Sequence, residues 1–350
     1  MRVLVAMSGG VDSSVAAALM KDAGHEVIGA TLKLWSGPNG EAPTAGCCTV
    51  SDAEDARRVA AQLDIPYYVL DYTEEFRDGV VERFIGDYAS GRTPNPCIEC
   101  NRTVKFDRLL GRLDEFGCDV LVTGHHARTR QIDDAWVLLR AADRAKDQSY
   151  VLSMLTQTEL SRIRFPVGEL TKPQVRRVAA GMGMRTARKP ESMEICFVGD
   201  GDYREFLEAN APEVFNPGEL VDTAGNVVGT HRGIVDFTVG QRRGLGAPAA
   251  GEPRFVIRID AESNTVVLGS REELEVTELA LTQVTGTNGQ VPQGVVLAQY
   301  RAHGEAVAAT LDETTLRFAE PQKAIAAGQT VAFYHDDRVL GGALIASASP

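Results

Sequence analysis

Apolar residues run consecutively through "RVLVAM" (2–7), then take up helical spacing in "VDSSVAAALMKDAG", which stops at Gly24. The first pattern predicts a buried strand and the second a helix ended by glycine. "HEVIGATLKLW" predicts a second strand. "SDAEDARRVAAQL" predicts a helix with Ser51 as its cap. "PYYVLDY" predicts a third strand, followed by one long amphipathic segment around "EEFRDGVVERFIGDYASG". The helix "KFDRLLGRLDEFG" and the strand "CDVLVTGHHAR" complete the alternation. Strands and helices alternating at this spacing predict an α/β fold with a mostly parallel sheet covered on both faces. Ligands of such sheets sit beyond the carboxyl ends of the strands, where "SGGVDS", "LKLW" and "GHHAR" fall.

Beyond about residue 200 the texture changes. "GELVDTAGNVVGTHRG", "FTVGQRRGLG" and "RFVIRIDAESNTVVLGS" are short alternating runs divided by Gly, Asn and Asp turns. "GVVLAQYRAHGEAVAATL", "TLRFAEPQKAIAAGQTVAFYHDD" and "VLGGALI" repeat that style. The expected plan is a nucleotide-binding domain over 1–200 and two small β-rich modules, 201–275 and 276–350, the last a β-barrel. No internal repeat is evident.

Hydrophobic residues make up 44% of the 350 and charged residues 24%, the balance of a globular chain. The five-residue apolar run at the start is too short for a signal peptide's core, and no later segment approaches a membrane span. A cytoplasmic setting is therefore expected. Thiols stay reduced there, so the six cysteines read as ligands, nucleophiles or core filler rather than structural disulfides. The net charge of −12 argues against a polyanionic partner, but residues 101–190 carry a balance of +7, leaving −19 elsewhere. Screening over roughly 8–10 Å lets such a basic region still attract phosphates.

"MSGGVDSS" leaves a strand and opens a helix, where backbone N–H groups and the helix dipole hold anions. Gly9 and Gly10 allow close approach of phosphate, while Ser8, Ser13 and Ser14 add hydroxyls. Neither Walker A nor GxGxxG is present. The Asp12 carboxylate would repel a polyphosphate unless a divalent cation intervened, so Mg²⁺ is expected at Asp12.

"SGGVDSS" resembles the pyrophosphatase-loop (PP-loop) signature of enzymes that split ATP between its α and β phosphates. Five further stretches, "TPNPCIECNRTVKF", "TGHHAR", "KDQSYVL", "RKPESMEICFV" and "FTVGQRRGLG", resemble the tRNA-specific 2-thiouridylase family, in that family's order across the chain. The resemblance implies a sulfurtransferase: ATP adenylates O2 of the wobble uridine in tRNAs for Lys, Glu and Gln, and sulfur then displaces AMP. It implies ATP contacts at Ala6, Met7, Ser8, Gly9, Gly10, Val11, Asp12, Ser13, Leu32 and Gly124. It places Asn95, Pro96 and Cys97 at the target base, and Lys146, Asp147, Gln148, Tyr300, Arg301 and Gln329 on tRNA. His125 either meets tRNA or the base, or only packs at a strand end. Leu32 stands where many relatives carry methionine.

Cys100 matches the family's nucleophile and Cys196 the cysteine that receives persulfide sulfur, with Asp12 the third catalytic position. Cys97 replaces an aspartate common in relatives. Two routes stay open: a Cys196 persulfide resolved by Cys100, or a 4Fe–4S cluster on Cys97, Cys100 and Cys196 with one iron left for hydrosulfide. A sulfur donor, such as a cysteine desulfurase or a relay protein, is implied as partner. Cys118 is expected in the core, and Cys47 and Cys48 carry no assigned chemistry. The spacing of Arg102, Lys105, Arg108 and Arg112 predicts a basic helical face that, with Arg128 and Arg130, carries the anticodon stem. The competing readings are a PP-loop enzyme acting on a small metabolite and a non-catalytic tRNA-binding protein.

Overall fold

The computed structural model describes residues 1–36, 49–190, 195–198, 201–245 and 253–350. Cys47 and Cys48 lie outside them. Five parallel strands form the first sheet: β1 (Arg2–Ala6), β2 (Glu26–Lys33), β3 (Tyr67–Asp71), β4 (Val120–Val122) and, after an excursion described below, Ile163–Arg164. The spatial order is β3-β2-β1-β4 and then Ile163–Arg164 at the edge. Val3, Leu4 and Val5 of the central strand are fully buried. Alternation sends Val3 and Val5 into one apolar cluster and Leu4 into another, so the sheet is covered on both sides.

The helix α1 (Val11–Asp22) packs through Val15, Ala16, Ala17 and Ala18, all fully buried. Short side chains let it lie close to the sheet. The next helix, α2 (Val50–Gln62), is capped by Thr49 rather than Ser51: the Asp52 N–H donates to Thr49 Oγ1 at 3.1 Å, and the Thr49 N–H to Asp52 Oδ2 at 3.0 Å. A reciprocal capping box satisfies two orphan amides where a lone serine would satisfy one.

The long amphipathic segment is not one α-helix. It runs as α-helix over Thr73–Phe76, π-helix over Arg77–Val81 and α-helix over Glu82–Ala89. A second π-helix, Cys100–Phe106, packs on the first. Gly79 makes room there, since a Cβ on it would lie 3.3 Å from Thr103 Oγ1.

The excursion after β4 is a hairpin, β5 (Ala127–Ile132) and β6 (Ala135–Arg140), absent from the sequence reading. It joins the sheet of the last module, where Leu138 and Leu139 pair with Val339 and Arg338. That sheet closes as a six-stranded antiparallel barrel when Glu275–Gly286 pairs with Arg338–Ser349. Between these bodies lies a four-stranded sheet of Gly218–Asp222, Val227–His231, Phe255–Asp260 and Thr265–Gly269. Among the described residues no helix is long and apolar enough to cross a membrane.

Candidate active site at the carboxyl edge of the parallel sheet

Beyond Ala6 the chain is stitched into a fixed loop. The Met7 N–H donates to Ala30 O at 2.8 Å, and Thr31 Oγ1 donates to Met7 O at 2.6 Å. The Ser8 N–H donates to Ser13 Oγ at 3.1 Å, and Ser13 Oγ donates to Gly10 O at 3.2 Å. Gly9 sits at φ +71°, and a Cβ there would overlap the Asp52 carbonyl. Gly10 caps α1 without a side chain. The first-turn amides of α1, which have no intrahelical acceptor, are thus presented by a rigid anion cradle. Leu32 is buried in the apolar cluster under this edge. Gly124, just past β4, lies against the Asp12–Ser13 backbone, with a would-be Cβ 2.5 Å from Ser13 N.

Asp12 does not face the cradle with an uncompensated charge. Lys172 Nζ donates to its Oδ2 at 2.6 Å, and His126 Nε2 lies 3.1 Å from its Oδ1. Burial alone would raise the Asp12 pKa, but the hydrogen bonds from His126 and Lys172 outweigh it and hold the carboxyl below 3.8. The reason for expecting Mg²⁺ at Asp12, an unopposed carboxylate, is therefore not met. A cation on Asp12 would have to exchange with Lys172. On the other side of the loop, Lys189 Nζ reaches Gly9 O at 3.1 Å, Asp52 at 2.6 Å and Asp55 at 2.7 Å. Burial would lower its pKa, but the two carboxylates hold it above its ordinary value.

Lys172 is 7% exposed, so Lys172→Ala leaves the Asp12 charge largely buried against His126 alone. A loss of about 3 kcal/mol in unfolding free energy by chemical denaturation is expected. The pH sign follows from a folded pKa below the unfolded one. The Asp12 contribution is complete above pH 3.8 and disappears as pH falls through the folded value. The variant's stability should therefore vary less with pH in the acid range.

The thiol-bearing segments reach the same edge. Asn95 caps a short helix (Pro96–Glu99), its side chain accepting from the Ile98 N–H at 3.4 Å. Cys97 is exposed on this turn, and Cys100, buried, opens the π-helix. That π-helix ends at Phe106, whose ring lies 5.9 Å from His125 beyond β4. His125 also meets Phe165 at 6.0 Å and Thr123 Oγ1 at 2.7 Å, so it is held in an aromatic clasp. Cys196 is half-buried. Its neighbour Phe197 contacts Trp35 beyond β2, Phe76 beyond β3, and Phe84 and Phe206. Cys100 lies in one apolar cluster, and Cys196 packs against that same cluster.

Cys118 is core, its thiol pKa pushed up by burial. Among the described residues no group of three or more Cys, His, Asp or Glu is arranged to hold a metal ion. Cys97, Cys100 and Cys196 thus form no ready cluster site.

The residues expected on tRNA are scattered and largely engaged. Asp147 accepts from Arg140, the Ala141 N–H and Ser149, a knot tying the hairpin to the following turn. Gln148 makes a reciprocal pair with the His126 backbone, both bonds 2.8 Å. Lys146 ends a 3₁₀ turn beside them. In the barrel, Tyr300 donates to Gln322 at 2.9 Å and Arg301 binds the Lys323 and Ala324 carbonyls. Gln329 donates to Thr93 O.

The predicted basic stripe is broken. Arg102 pairs with Glu99, Arg112 with Glu115, Arg130 with Glu169, and Arg128 is mostly buried between Asp337 and the Arg140 carbonyl. The wider π turn also removes the three- and four-residue phase on which the stripe depended.

A cavity of about 460 Å³ lies in the central module, around the "FTVGQRRGLG" turn, rather than at the phosphate loop. Two of its guanidiniums, Arg204 and Arg232, are already paired with Asp202, Asp236 and Glu208.

A parallel sheet whose first strand passes through a Gly–Ser cradle into a helix defines a nucleotide-binding α/β protein. Residues 1–200 match the family model described as the tRNA methyl transferase HUP domain, 204–270 the PRC-barrel domain of the same series, and 274–345 an aminomethyltransferase β-barrel domain. The chain is 47% identical over 352 residues to a tRNA-specific 2-thiouridylase of Herpetosiphon aurantiacus, covering 99% of this chain and 98% of the relative. It is 48% identical over 360 residues to that of Acidothermus cellulolyticus, with the same coverages. A 4-thiouridine synthetase solved with RNA and ATP is 17% identical, covering 61% of this chain and 51% of its own at TM-score 0.36, too distant to add to this. The chain belongs to the tRNA-specific 2-thiouridylase family.

Proposed function

We propose that this chain converts the wobble uridine of tRNAs for Lys, Glu and Gln to 2-thiouridine, using ATP. What carries the reading is that an anion cradle and two thiol-bearing segments occupy one edge of one sheet. A uracil carbonyl oxygen is a very poor leaving group. Attack of O2 on the α-phosphorus of ATP, with pyrophosphate departing into the cradle of Ser8–Ser13, turns it into an adenylate that leaves readily. In this reading the turn Asn95–Cys97 meets the extruded base.

The sulfur step balances with a persulfide on Cys196, loaded by an external donor. Its outer sulfur attacks C2 and AMP leaves, giving a disulfide-linked uridine. The Cys100 thiolate then attacks Cys196 Sγ, the bond to the transferred sulfur breaks, and thiouridine is released. A Cys100–Cys196 disulfide remains, to be reduced by an external dithiol. The carboxylate of Asp12, held by Lys172 and His126, fixes the start of α1 relative to β4.

Pyrophosphate release and tRNA nucleosides should be measured together, with and without unmodified tRNA, in the presence of ATP, Mg²⁺ and a persulfide donor. Release that depends on tRNA, with 2-thiouridine as product, is the expected result. A metabolite ligase would release pyrophosphate without tRNA, a binding protein would release none, and a methyl transfer would give a methylated nucleoside with no pyrophosphate.

A further inference from the structure

The turn that bears Asn95, Pro96 and Cys97 is gripped by the C-terminal barrel, more than 200 residues away in sequence. The Thr93 N–H donates to Ala327 O at 2.8 Å, and Gln329 Nε2 donates to Thr93 O at 2.9 Å. Both polar groups of one peptide residue are therefore satisfied by a single barrel loop. Gly328 permits the approach: it sits at φ +88°, and a Cβ there would lie 2.9 Å from Arg92 Cβ and 3.0 Å from Thr93 N. The loop is anchored to the barrel in turn, since the Ile345 N–H donates to Gln329 O and the Gly328 N–H to Ile345 O, each at 2.8 Å. A second attachment lies one residue on. The hydroxyl of Tyr150, 1% exposed, donates to Thr330 O at 2.8 Å, and the Asn95 side chain acts on the same hydroxyl electrostatically, partly opposing the upward pKa shift that burial imposes.

We propose that residues 327–330 of the barrel form a clasp that sets the position of the Asn95–Cys97 turn, with Gln329 and Tyr150 as its positioning residues. Without the clasp, Thr93 would keep its peptide groups in water and the turn would lose its tie to the barrel and sample more positions. The clasp gives the barrel a role in placing the reacting edge, not only in holding RNA. Gln329 then acts through Thr93, whereas a direct contact to tRNA would require its amide to leave that carbonyl.

The kinetic arm of the test rests on the thiolation reading, and the structural arm does not. Gln329→Ala in the full chain, without tRNA or ATP, should speed hydrogen exchange in a peptide spanning 90–101 by about five- to tenfold, the worth of one net hydrogen bond. In thiolation assays kcat should fall by a similar factor while KM for tRNA stays within about twofold, because a displaced turn costs rate rather than binding. A raised KM with unchanged kcat and unchanged exchange would make Gln329 a tRNA contact and overturn the clasp. Faster exchange with unaltered kcat would overturn it as well, since the turn's position would not matter to the reaction. Tyr150→Phe, which keeps the ring and removes only the hydroxyl, should reproduce both effects and carries the test if Gln329→Ala does not fold. An enzyme that fails to thiolate yet shows faster exchange in both variants would count against the functional reading and leave the clasp standing.

Discussion

Cys196→Ser and Cys100→Ser, made singly, should each stop formation of 2-thiouridine while leaving tRNA-dependent pyrophosphate release nearly unchanged. The oxygen of serine carries no transferable sulfur and is not a thiolate at neutral pH, so product should fall by on the order of 10³-fold or more. In the proposed order the adenylation half-reaction would use the cradle of Ser8–Ser13 and need neither thiol. Cys100 is 5% exposed, so its replacement also buries a hydroxyl at about 1–2 kcal/mol, which a denaturation curve separates from the kinetic effect. Cys196 is half-buried and should cost less. Mass spectrometry of nucleosides beside a pyrophosphate assay gives both numbers on one sample. Parallel loss of both half-reactions in folded variants would place the thiols in adenylation and contradict the proposed order.

Gly124→Ala should be among the most damaging single-methyl changes at the edge. The added Cβ would stand 2.5 Å from Ser13 N, 2.8 Å from Asp12 C and 2.9 Å from Ser13 Cα. All three are backbone atoms, so no side-chain rotation relieves the overlap, and the start of α1 must move away from β4. Overpacking of this kind costs about 1–3 kcal/mol in stability. The functional loss should be larger: displacing an anion cradle by about 1 Å costs on the order of 10²-fold in rate. Pyrophosphate release and thiolation should therefore fall together, in contrast to the cysteine variants. Release that remains normal in Gly124→Ala would show that "TGHH" does not set the cradle.

The parallel sheet was legible because its inner strands are buried on both faces and read as unbroken apolar runs, "RVLVAM" being the clearest. The cradle was legible because glycines and hydroxyls at a strand-to-helix turn have few other uses. The hairpin Ala127–Arg140 was not, because "ARTRQI" gives no apolar run to pair with the apolar "AWVLLR", whose other partner strand lies about 200 residues on. The π-helices were invisible because an inserted residue per turn depends on what packs alongside, here Gly79 against Thr103. That same insertion undid the basic stripe from Arg102 to Arg112. Lys172 and Lys189 carry no local signal: each is a lysine near a proline, and only the fold brings one to Asp12 and the other to Gly9, Asp52 and Asp55.

Sequence by itself determined the elements whose chemistry is local: a strand, a glycine turn, hydroxyls at a helix start, and thiols spaced along one stretch. The tertiary structure decided which charges compensate Asp12, how Cys100 and Cys196 come to share one apolar cluster, and that a barrel loop holds Thr93. Those are matters of long-range contact, set by the summed packing of distant segments, and no window along the chain contains both partners.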